Sequence, residues 1–193
     1  MMSDRAPWRV EPLPERSALV VRLTRVAGTR SESLAEFGAR LVNEARRRAV
    51  KRVVIDVRQN TGGDNTVLPP FVEAFRASEF NRPDGLYVPI GPATFSAATN
   101  FVSLMEGRTK ATLVGSPTGS GPNHHGDSDH IVLQRTRAVV FLSTRWHQFG
   151  APDDTRRSHK PHVLVTETAA DDLSGRNGAL EAALGPPTQT ATQ

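Results

Sequence analysis

The sequence predicts an α/β fold with a largely parallel sheet. Three observations point there. Strand-like and helix-like runs alternate from residue 17 to 114. The clearest strand, Val53 to Val57, is short and almost wholly apolar, as in strands covered on both faces. Polar or small-residue loops also leave the carboxyl ends of three of the strands. The chain's 193 residues suffice for one domain with a substantial core and are too few for two comfortable ones.

Residues 1–16 are rich in proline and charge and read as an arm preceding a core over 17–184. Ser17 to Val26 alternates into a strand. Ser31 to Arg48 places Leu34, Phe37, Leu41, Val42 and Ala45 at helical spacing, with Ser31 or Ser33 as the cap. The strand Val53–Val57 ends in the glycine-bearing loop 58–65. A helix follows from about Leu68 to Ala77, with Pro69 and Pro70 tolerable in its first turn. Leu86–Ile90 reads as a strand, Ser96–Glu106 as a helix and Ala111–Val114 as a strand.

Beyond Gly115 the character changes. Residues 116–129 form a long polar loop, and Ile131–Leu133 with Val139–Leu142 predict a hairpin around Arg135-Thr136-Arg137. Trp146–Arg157 is loop-like, His162–Val165 a final strand and Gly178–Leu184 a closing helix. Residues 185–193, rich in proline and threonine, read as a disordered tail.

Composition excludes several classes. Without cysteine there are no disulfides, thiolate ligands or cysteine nucleophiles. The net charge of +4 rests on arginine, since Lys51, Lys110 and Lys160 are the only lysines. The one tight basic run, Arg46-Arg47-Arg48, falls where a helix C-terminus favours cations, so nucleic acid is not an expected partner. No apolar run approaches the roughly 20 residues that cross a bilayer, and no secretory leader is visible, so a cytoplasmic protein is expected if Met1 is the true start.

Ser96 is the most informative hydroxyl, standing between a strand and a helix and followed by Ala97-Ala98. It is either an ordinary N-cap or a nucleophile placed where free amides stabilise developing negative charge. Gly62-Gly63 is either a plain turn or a source of such an amide. There is no Gly-x-Ser-x-Gly elbow and no phosphate loop. The cluster His124, His125, Asp127, Asp129 and His130 matches no strong metal-ligand spacing.

Three segments in order carry a family resemblance: VVIDVRQNTGGDN (53–65), GPATFSAATN (91–100) and GSPTGSGPNHHGD (115–127). Together they resemble the S41 serine peptidases, the tail-specific or C-terminal-processing family. A later stretch, Pro152 to Arg156 followed by Lys160-Pro161-His162, resembles the end of the same domain. The resemblance implies the β/α spiral shared with the ClpP and crotonase groups, peptide-bond hydrolysis through an acyl-enzyme, a peptide or protein substrate, and neither cofactor nor metal. It puts the nucleophile at Ser96, and the oxyanion hole at the Ala97 amide with that of Gly62 or Gly63.

The departures from the family pattern matter as much. Gly121 stands where many members carry a lysine base, so the chain is more similar to the tricorn and retinoid-binding-protein-like branch, which uses an upstream histidine. No histidine precedes His124. Either the base belongs to a missing N-terminal portion, or His124 or His125 substitutes for it. Asp154, with Asp153 beside it, lies near the branch's acidic helper; the plain alternative is a turn residue. Two functional readings therefore stand: a serine peptidase, and a non-catalytic domain binding a peptide or apolar ligand in the same cleft. Acyl-CoA chemistry on the crotonase fold would need an adenine-binding region, which is not evident. Homo-oligomerisation is also open.

Overall fold

The computed structural model describes residues 6–166, 171 and 177–185. Its strands are β1 (Trp8–Leu13), β2 (Ala18–Leu23), β3 (Arg52–Asp56), β4 (Leu86–Ile90), β5 (Thr112–Gly115), β6 (Asn123–Val132), β7 (Val139–Gln148) and β8 (Val163–Leu164). Its helices are α1 (Leu34–Arg47), α2 (Leu68–Arg76), α3 (Ala97–Arg108) and α4 (Gly178–Leu184). Six strands form one sheet in the order β1-β2-β3-β4-β5-β8, parallel except for β1, and β6 and β7 form a separate antiparallel ribbon.

Period-two alternation assigns the two faces of the sheet. Leu19, Val21 and Leu23 of β2, Val53 and Ile55 of β3, and Leu86, Val88 and Ile90 of β4 point to the main core, with the buried faces of α1, α2 and α3. Ala18, Val20, Val54, Tyr87 and Val114 point the other way, onto Ala179, Ala183 and Leu184 of α4. Phe71 of α2 is the hub of the larger core, 6.1 Å from Phe37, 5.2 Å from Phe75 and 5.7 Å from Phe101 between ring centroids. The start of α1 is set by a capping box, in which the Ser33 hydroxyl accepts the Glu36 N–H and the Glu36 carboxylate accepts the Ser33 N–H.

Two expectations are corrected. Residues 8–13, read as part of an arm, form the edge strand β1, because Trp8 stacks on Phe37 at 4.1 Å and anchors the segment. The polar stretch 123–129, read as loop, is strand, and so is Trp146–Gln148. Both belong to a ribbon with little cover on either face, so alternation of apolar and polar residues never marked them. Residues 186–193 of the expected tail lie outside the described residues.

Candidate active site

The loops after β3, β4 and β5 meet at the carboxyl edge of the sheet. Asn60, wholly buried, ties the first two together. Its side chain donates to the Leu23 carbonyl at 3.0 Å and accepts the Gly62 N–H at 3.0 Å, while its backbone carbonyl accepts the Phe95 N–H. Thr94, also buried, donates its hydroxyl to the Val57 carbonyl and accepts the Gly91 N–H. The Gly119 N–H donates to the Thr94 carbonyl and brings in the third loop.

Ser96 stands on this frame, half-buried, with φ 54° and ψ −127°. That left-handed value is costly for a side chain and is held only because both flanks are pinned. Ser96 occupies the N-cap position of α3, yet its hydroxyl makes no capping hydrogen bond. The cap reading therefore fails in its physical content. The Ser96 side chain instead faces Gly62, where an added Cβ would sit 2.9 Å from Ser96 Cβ and 3.1 Å from Oγ. Only glycine leaves that space open. The Gly62 N–H is already given to Asn60, whereas the Gly63 and Ala97 N–H groups have no hydrogen-bond partner among the described residues.

His124, on β6, is half-buried and 6.5 Å from the Phe95 ring between centroids. Its Nδ1 lies 2.9 Å from the Gly121 carbonyl. A carbonyl only accepts, so Nδ1 carries the proton and Nε2 keeps its lone pair. That Nε2 is buried and has no hydrogen-bond partner among the described residues. Burial pulls the His124 pKa below its ordinary value, with neighbouring His147 and His125 adding to the effect, so the neutral form prevails near neutrality. His125 is exposed and its ring lies against Trp146 at 4.8 Å, with no side-chain hydrogen bond among the described residues.

His124 and Asp154 line a common cavity of about 440 Å³ with Trp146, Arg156 and Arg157. The Asp154 carboxylate turns to Arg156, at 2.8 Å from Nη2, and that ion pair and its hydrogen bonds hold its pKa below the ordinary range. No hydrogen bond joins Ser96 Oγ to a histidine, or Asp154 to His124, among the described residues. The fold brings the three to one end of the sheet without closing a triad.

The sequence reading missed His147. Asn65 Nδ2, in the loop after Gly63, donates to His147 Nδ1 at 3.2 Å, and His147 Nε2 faces the Asp127 carboxylate at 3.5 Å. With both nitrogens engaged, His147 fastens the ribbon to the glycine loop. The signal was available: extending the ladder outward from the hairpin turn pairs His124 with His147. A buried line also went unread, in which His159 bridges Ser103 Oγ at 2.9 Å and Glu106 at 3.1 Å. Ser103 lies inside α3 and is buried, so this line clamps the segment after β7 to α3 rather than facing a cleft. Among the described residues no group of three or more metal-binding side chains converges.

No family model and no curated protein matches the chain. Solved structures do. A Parabacteroides merdae protein assigned as a peptidase superposes with a TM-score of 0.63 at 17% identity, covering 93% of this chain and 64% of that one. A Bacteroides fragilis protein assigned as an S41 protease gives 0.58 at 19%, covering 93% and 57%. The chain has the fold of the S41 peptidases. The photosystem II D1 C-terminal processing protease shares it at a TM-score of 0.50 and 16% identity, over 77% of this chain and 42% of that one. The chain thus spans 64% and 57% of the lengths of the first two neighbours.

Proposed function

We propose that the chain is the serine-peptidase core of an S41-type enzyme, hydrolysing peptide bonds through Ser96. The observation that carries the reading is the Ser96 conformation: a non-glycine residue held at φ 54°, its hydroxyl withheld from the cap and facing Gly62. Strain of this kind at a loop-to-helix turn exposes a nucleophile. Ser96 Oγ attacks the scissile carbonyl, and its proton passes to Nε2 of His124. The oxyanion is held by the Ala97 and Gly63 amides. The imidazolium then gives the proton to the leaving amine, and water resolves the acyl-enzyme by the same steps. Transfer needs Nε2 within about 3 Å of Oγ, an approach that catalytic pairs often complete only with substrate bound. Asp154 is too engaged with Arg156 to orient His124; the Gly121 carbonyl takes that part.

Gly121 also argues against the lysine variant of the mechanism. A Cβ there would lie 1.9 Å from the Arg156 carbonyl oxygen, so the loop admits no side chain.

The missing Ser96–histidine hydrogen bond favours one other reading, a non-catalytic domain that binds a peptide in the same cleft. Fluorophosphonate labelling read by intact mass separates the two, with Ser96→Ala and His124→Gln in parallel. The expected result is a stoichiometric adduct, absent in Ser96→Ala and slowed at least about a hundredfold in His124→Gln. An unlabelled wild-type chain would leave the binding reading standing. Labelling unaffected by His124→Gln would move the base elsewhere.

A further inference from the structure

The distal half of the β6–β7 ribbon carries a run of exposed apolar residues that the site does not use. Neither strand pairs with the six-stranded sheet, so both ribbon edges are open among the described residues. Ile131–Leu133 and Val139–Leu142 are all exposed, from 39% for Val140 to 70% for Phe141. Isolated two-stranded ribbons are marginal in water, and open edges are normally guarded by charge. Residues 138–144 carry none. Together the exposed apolar side chains amount to several hundred square ångströms, on the order of the ~800 Å² that one partner brings to a standard interface.

The charges flanking this surface indicate what covers it. Asp127 and Asp129 precede Val132 on β6, while Arg135 and Arg137 follow it in the turn that reverses the chain between Leu133 and Ala138, so acid and base are separated along the ribbon. Asp127 and Asp129 lie partway along the ribbon, and the arginines lie at its tip. Asp129, Arg135 and Arg137 have no ion-pair partner among the described residues; Asp127 is 3.3 Å from Arg145. Two copies laid antiparallel about a two-fold axis near Val132 would set each tip's arginines against the other's aspartates. The apolar stretches would then meet between them.

We propose that the ribbon is a dimerisation arm whose partner is a second copy of this chain. The inference does not rest on the peptidase reading and is tested without activity. Sedimentation velocity on the full chain, over a series reaching about 100 µM, should show a monomer–dimer equilibrium. Phe141→Asp should weaken the dimer at least about tenfold, with an unchanged circular dichroism spectrum because the ring is exposed. Arg135→Asp or Asp129→Arg alone should weaken it by up to about fivefold, and the two together should restore it. A wild-type monomer would overturn the proposal. So would a dimer indifferent to Phe141→Asp, or charge reversals without mutual rescue. Monomer that co-sediments with phosphatidylcholine vesicles would assign the surface to a membrane instead.

Discussion

Val53–Val57 and Val139–Leu142 are both short, branched, apolar runs, and they meet opposite fates. In the sheet, Val53, Val54, Ile55 and Val57 are fully buried, because helices cover both faces. In the ribbon, Val139 to Leu142 stay largely in solvent. Apolar character makes a strand in either place; burial is decided by what the topology lays over it. A run between two helices in an α/β succession is covered by its own chain. A run in a hairpin that departs from the sheet has only what comes from outside.

Truncating one phenylalanine in each region should separate the two environments. Phe71→Ala removes the ring that touches Phe37, Phe75 and Phe101, and should cost about 3–5 kcal/mol in chemical denaturation. Phe141→Ala, measured at a concentration where the chain is monomeric, should stay within about 0.5 kcal/mol. Equal costs would mean that the ribbon packs on something within the chain.

A smaller effect separates two glycines. Gly121→Lys forces a Cβ onto the Arg156 carbonyl and should destabilise by about 1–3 kcal/mol without conferring labelling on a Ser96-competent, His124→Gln background. Gly107→Lys, near the end of α3 with nothing within 4 Å of its added Cβ, is the control and should be neutral or slightly stabilising. A well-folded, reactive Gly121→Lys protein would show that the loop can re-form around a lysine dyad.

Most of the sheet was legible because its strands and helices alternate in both sequence and hydropathy, and so was the place of Ser96 between a strand and a helix. What could not be read were features made by contacts distant in sequence. Whether Ser96 caps α3 or is withheld from it depends on Asn60 and Val57 of the preceding strand-end loop, which hold Phe95 and Thr94. That His124 is half-buried and bonded to the Gly121 carbonyl while His125 is exposed depends on strand register and on a carbonyl three residues back. The strand β1 depended on Trp8 finding Phe37, 29 positions on. The ribbon's inner half was hidden because exposed strands carry no periodic signature.

The smallest effect tests whether the histidines are as enclosed as the packing makes them. His159 is wholly buried between Ser103 and Glu106, and burial lowers its pKa from the ordinary 6.5, opposed by Glu106. His124 is lowered in the same direction by its own burial. A folded pKa below the unfolded one means that the unfolded chain takes up protons first as pH falls. Stability is therefore full above about pH 6.5 and declines below it, down through the folded values. Burial pushes the Glu106 carboxyl up, but Arg156 and His159 outweigh it, and Asp154 is held low by Arg156. Both acids therefore keep their charge where the histidines begin to titrate. The decline between about pH 6.5 and 5 should then belong to the histidines, as a drift smaller than either substitution effect. Denaturation midpoints across that window should flatten in a His124→Gln, His159→Gln double variant, compared with its own value at pH 7.5. An unchanged slope in the double variant would mean that other groups carry the acid sensitivity and that these two rings are open to water when folded.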